Sequence, residues 1–89
     1  LNNPHLRKCC EDSAGQLLQD NMDNVALIDL LYRRSLSRGP TTKEAEKAAQ
    51  FLTSQTASYE KSGVADAREQ ATADFIQLML CLNEFCYIY

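Results

Sequence analysis

Apolar residues in this chain return every three or four positions in four separate stretches, and no extended run alternates apolar with polar. That spacing puts them on one face of a 3.6-residue turn, which predicts amphipathic helices and no strands. Only three Gly and two Pro occur in 89 residues, and two of these five adjoin at Gly39-Pro40, the sharpest break in the sequence. A chain of this length buries roughly 60–65% of its unfolded surface, which suffices for one core. The expected fold is all-α, a compact, four-helix bundle-like single domain covering residues 1–89.

The helices are expected at about 4–20, 25–37, 42–54 and 64–83. Asn3 caps the first and Pro4 occupies its first turn, with Leu6, Cys10, Ala14, Leu17 and Leu18 on one face. Asp23 or Asn24 caps the second, whose buried stripe is expected to be Val25, Ile28, Leu31, Tyr32 and Leu36. Gly39 is expected to take the left-handed conformation that ends it, and Pro40 blocks continuation. Thr41 and Glu44 have capping-box spacing at the start of the third, which lines up Ala45, Ala48, Ala49 and Leu52 beside Phe51. The Ser/Thr-rich stretch 53–63, with its lone Tyr59, reads as a loop. The fourth helix is the most apolar and is expected at the centre of the core, through Phe75, Leu78, Met79, Leu82 and Cys86, with Ile76 and Leu80 on the flank.

The net charge of −3 gives no general attraction to nucleic acid, and Arg33-Arg34, toward a helix C-terminus where positive charge suits the dipole, reads as a solvated helix end. No apolar run nears the ~20 residues of a membrane-spanning helix, so no membrane insertion is expected. The opening residues Leu1-Asn2-Asn3-Pro4 do not resemble a signal peptide and lack an initiator Met. The chain therefore reads as a piece of a longer protein.

Residues able to do chemistry are scattered. Metal binding needs Cys and His at ligand spacing, but Cys9 and Cys10 are adjacent and Cys81 and Cys86 are five apart, on different faces of a helix. No metal or cofactor is expected. Nucleophilic catalysis needs a base beside the nucleophile, and His5, near the terminus, is the only His. No catalytic residue is expected, and the chain is not read as an enzyme. The four cysteines carry two readings. Cys10 and Cys86 lie on apolar stripes as buried thiols would, and Cys81 shares a face with Asp74, Gln77 and Glu84. Alternatively, Cys9 or Cys10 bridges to Cys81 or Cys86, closing a loop of roughly 70 residues worth on the order of 4 kcal/mol. At Asn83-Glu84-Phe85 a polar pair meets the core. There Asn83 ends the helix, Phe85 tucks back and Glu84 pairs with Arg38, or else Glu84 touches a ligand or partner.

Three motifs in order, Leu1-Asn2-Asn3-Pro4-His5-Leu6, Leu31 to Thr41 (reading LYRRSLSRGPT) and Phe75 to Tyr89 (reading FIQLMLCLNEFCYIY), resemble the closing segment of a family of large planctomycete proteins. That segment has an LNSP-like start, a YRxxLxRxPT-like middle and an NSNEF-aromatic end. The likeness spans nearly the whole chain. Cys81-Leu82 stands where the family tends to have small polar residues, and Cys9-Cys10 also departs from it, so no thiol role is carried over. The resemblance implies a C-terminal domain of an exported multidomain protein that elsewhere carries a cytochrome-c-like module. It implies no haem site here, because no CxxCH is present and His5 precedes every Cys.

The expected function is a non-catalytic structural or interaction module, docking on other domains of its parent or on a protein partner. The alternative is an accessory domain that completes the site of a composite enzyme or redox protein. The aromatic ending, Cys86-Tyr87-Ile88-Tyr89, is a candidate surface for self-association.

Overall fold

A computed structural model describes the backbone of residues 3–88 and the side chains of residues 3–81. Four helices follow in order: α1 (Pro4–Gln19), α2 (Asn24–Leu36), α3 (Thr42–Lys61) and α4 (Ala67–Ile88), with no strand among the described residues. The radius of gyration, 12.8 Å, is close to the ~12 Å of a folded domain this long. The all-α, four-helix reading is therefore correct.

Local chemistry sets most of the boundaries. The Asn3 side chain accepts from the amides of His5 and Leu6, that of Asp23 from Ala26, and Pro4 fills the first turn of α1. The Thr41–Glu44 capping box is formed in both directions. The end of α2 differs from expectation: the left-handed residue is Ser37 (φ 60°), which donates its amide to the Arg33 carbonyl, and not Gly39.

The largest departure is α3. Residues 55–61, read as loop, are helix. Gly63, at φ 80°, ends it in a Schellman arrangement: its amide donates to Glu60, and that of Val64 to Tyr59, each at 3.0 Å. Helix α4 starts three residues later than expected and its backbone runs on to Ile88.

Helix α4 packs against all three others, most broadly against α1 and α3, so it is the centre of the fold as its composition suggested. Its residues turn about 100° each. Ala71, Ala73, Phe75, Ile76 and Met79 thereby point inward and are buried, while Gln70, Asp74, Gln77 and Cys81 form the opposite, outer stripe. Phe75 meets Phe51 of α3 with ring centroids 6.1 Å apart. Cys10, Ala14, Leu27, Leu31, Tyr32, Ala48 and Leu52 complete the core. The buried Thr72 hydroxyl is satisfied by the Arg68 carbonyl one turn back, at 2.8 Å. Arg68 also donates to the Met22 carbonyl at 2.7 Å, tying the start of α4 to the α1–α2 turn.

Three stripe assignments need correction. Val25 is 77% exposed and Leu78 42% exposed, while Leu27, left out of the α2 stripe, is fully buried. The other stripe residues Ile28, Leu31 and Tyr32 on α2, and Phe75 and Met79 on α4, are buried as expected. Leu82 and Cys86 lie outside the described side chains.

Candidate functional site

The densest polar arrangement crosses the outer stripe of α4. Arg7 of α1 reaches over it: Nη1 donates to Asp74 Oδ1 at 2.7 Å and to Gln77 Oε1 at 3.3 Å, and Nη2 to Gln70 Oε1 at 2.7 Å. From α3, Gln55 Nε2 and the Tyr59 hydroxyl each donate to Asp74 Oδ2 at 2.8 Å. Gln55 and Tyr59 lie one turn apart, as do Gln70 and Asp74, so each helix offers two groups on one face. One carboxylate thus takes three donors from two helices and joins α1 and α3 to α4.

The electrostatics follow from this packing. Burial raises the Tyr59 pKa above its ordinary value, and its hydrogen bond to Asp74 and the carboxylate's charge add to the rise, against the opposing pull of Arg7. Burial opposes the charge of Arg7, yet the bond and charge of Asp74, with Tyr59 and Glu11, leave its pKa raised. Glu11 sits 3.6 Å from Arg7 Nε, one turn along α1. No buried side-chain nitrogen or oxygen among the described residues lacks a hydrogen-bond partner.

Arg38, singled out in the sequence, lies elsewhere. Arg38 meets Glu44 through two parallel bonds, Nη1 to Oε1 at 2.8 Å and Nη2 to Oε2 at 3.0 Å. It also donates to the Gly39 carbonyl at 3.0 Å and lies 5.9 Å from the centroid of the Tyr32 ring. Glu44 further accepts from the Thr41 amide at 2.9 Å. The Arg38 bond and then the Thr41 amide hold its carboxyl down at about 2. Arg38 therefore staples the turn between α2 and α3. The side chains of Asn83, Glu84, Phe85 and Cys86 lie outside the described residues, as does the expected Arg38–Glu84 pairing.

Cys9 is exposed, Cys10 is buried and Cys81 is half-buried, and all three are free thiols. Burial pushes the Cys10 thiol up; Arg7 opposes this, while Cys9, Cys81 and Glu11 add to it. Cys10 and Cys81 therefore occupy one neighbourhood where α1 packs on α4. Among the described residues no group of three or more His, Cys, Asp or Glu gathers as a metal site would require, and no helix is long and apolar enough to cross a membrane.

The second feature is a groove of about 540 Å³ between α1, α2 and α4. Helices α1 and α2 are consecutive but do not pack broadly on one another. Each flanks α4 and leaves a gap between. Ile76, Met79 and Leu80 of α4 form the floor. Ser13, Gln16, Leu17 and Asp20 line the α1 wall, and Leu31, Arg34 and Ser35 the α2 wall. Every set has spacings of three and four, so each wall is one helix face.

The sequence reading missed the Asp74 cluster. Its signals were present: a lone Tyr in a polar stretch, Gln55 one turn before it, and Asp74 between Gln70 and Gln77 at helical spacing. Each is individually indistinguishable from a solvated face until α3 is known to extend past residue 54. Comparison with known proteins returned no matching family model, no matching curated protein and no matching solved structure.

Proposed function

We propose that this chain is a non-catalytic helical module that docks on neighbouring domains of a larger polypeptide or on a protein partner. The observation that carries this reading is the Asp74 cluster. Both oxygens of its half-buried carboxylate are engaged, by Arg7, Gln55 and Tyr59. A general base must instead reach a substrate proton within hydrogen-bond distance. Residues that tie three helices into one body suit a rigid platform, and the groove between α1, α2 and α4 gives that platform a concave face. A net charge of −3 favours a protein over a nucleic-acid partner. An exported parent, with this chain at its C-terminal end, is supported by the three-motif likeness to the planctomycete family.

The test is amide hydrogen exchange on the isolated chain and on the full-length gene product. Docking predicts slowed exchange on a contiguous surface of the module in the longer protein. Identical exchange in both, with no added protein partner slowing it, would remove the reading.

A further inference from the structure

We infer that residues 53–64, the end of α3 and the turn after it, form a strap that opens as one unit while the rest of the bundle stays folded, with Gln55 and Tyr59 as its latch on Asp74. This holds whether or not the chain docks on a partner.

Three observations carry it. First, the core stops short of this stretch. Leu52 is the last buried residue of α3, and every residue from Thr53 to Val64 is exposed or half-buried. Second, the stretch sustains its own helix poorly. Thr53, Ser54, Thr56 and Ser58 rank below the Ala, Glu and Lys of the first half of α3 as helix formers, and Gly63 ends the helix with nothing packed around it. Third, fixed points bound it on both sides. Leu52 is held in the core before it; after it, Ala67 is buried and Arg68 donates to the Met22 carbonyl at 2.7 Å. Between these points, the donors Gln55 and Tyr59 tie the stretch to α4 through one oxygen, Asp74 Oδ2, each at 2.8 Å. A segment with few buried apolar contacts opens at a lower free energy than the whole domain. Both donors sit one turn apart on a single acceptor, so release of the carboxylate loses them together. Arg7 stays on Oδ1 at 2.7 Å, which keeps α1 fastened to α4 in the opened form.

Native-state amide hydrogen exchange of wild type, Leu27→Ala and Tyr59→Phe tests it. Leu27 belongs to the core, which stays packed when the strap opens. Loss of its side chain therefore brings global unfolding closer and leaves strap opening unchanged. In wild type the amides of residues 57–64 are expected to share one opening equilibrium and to exchange at least roughly tenfold faster than those of Ala71, Ala73 and Met79. Leu27→Ala is expected to speed the α4 core amides roughly a hundredfold and to leave residues 57–64 within about twofold of wild type. Tyr59→Phe, which removes one of the two latch donors, is expected to speed residues 57–64 together. Low urea on wild type supplies a second measurement that needs no variant to fold. Exchange of the α4 core amides should rise steeply with urea, and that of residues 57–64 only shallowly, because little surface is exposed when the strap opens.

Residues 57–64 that accelerate in step with the α4 core, in Leu27→Ala or in urea, would mean that the chain opens only as a whole and would overturn the proposal. A gradient of protection falling residue by residue toward Gly63, with Tyr59→Phe acting only on amides beyond position 59, would mean simple end fraying and would overturn it equally.

Discussion

Arg7 and Asp74 meet at 2.7 Å across 67 positions of sequence, and Asp74 is the point where α1 and α3 are both fastened to α4. The pair is only partly screened, with side chains 28% and 17% exposed. Removing one partner of a buried pair costs several kilocalories, and partial solvent access reduces that. Asp74→Ala should therefore cost about 2 kcal/mol and lower Tm by roughly 10 °C. Tyr59→Phe, which removes one neutral donor, should cost about 1 kcal/mol. Because folding raises the Tyr59 pKa, its contribution is complete below the unfolded value of 10.0 and fades as pH rises through the folded one. Residue-resolved titration of the Tyr59 ring should accordingly place its ionisation at higher pH than in free tyrosine.

The core makes an equally sharp contrast on one helix. Leu27 is fully buried and Val25, two residues earlier, is 77% exposed. Leu27→Ala should cost about 3 kcal/mol through lost burial and the cavity left behind. Val25→Ala should stay within about 0.5 kcal/mol of wild type. Chemical denaturation of the two variants checks the register of α2 directly.

Much of this was legible in the sequence, and the reason is locality. Asn3-Pro4, Asp23 and the Thr41–Glu44 box act within one turn, so a reader of the chain can place three helix starts. The end of α3 reads as loop because the Ser and Thr residues within 53–58 disfavour helix intrinsically. What holds them helical is Gln55 and Tyr59 reaching Asp74, a contact from the other side of the fold, with Gly63 as the stop. The Asp74 site was hidden for the same reason: it exists only once α3 continues past the point where its own composition would end it. Val25 and Leu78 fit the apolar period but fall at the edge of their stripes, where one step decides between core and solvent.

Glycine substitutions separate backbone from packing. Gly15 lies inside α1, and an added Cβ would meet Glu69 Oε1 at 2.9 Å, the free end of a flexible side chain that can swing away. Gly15→Ala should stabilise by about 0.5 kcal/mol through helix propensity. Gly63 has open space around it but a φ of 80°. Gly63→Ala should destabilise by about 1 kcal/mol, since an alanine there keeps the left-handed strain. Thermal melts of the two variants should move in opposite directions.

Acid should loosen the α2–α3 turn in a defined window. Arg38 and the Thr41 amide hold the Glu44 carboxyl at about 2, below its ordinary 4.5. A depressed carboxyl stabilises the fold fully above its unfolded value and loses that contribution as pH falls through the folded one. Stability should therefore decline between pH 4.5 and about 2, and Glu44→Gln should flatten that part of the profile. Carbon-detected titration of the Glu44 side chain checks the midpoint.

The claim that this molecule's polar groups serve as a clamp is tested most directly by a double-mutant cycle at Arg7 and Asp74. Urea denaturation of wild type, Arg7→Ala, Asp74→Ala and the double variant gives the coupling between them. The account predicts that the two losses overlap, with a coupling of at least ~1 kcal/mol. Strictly additive losses would mean that the two side chains do not work together, and would contradict it.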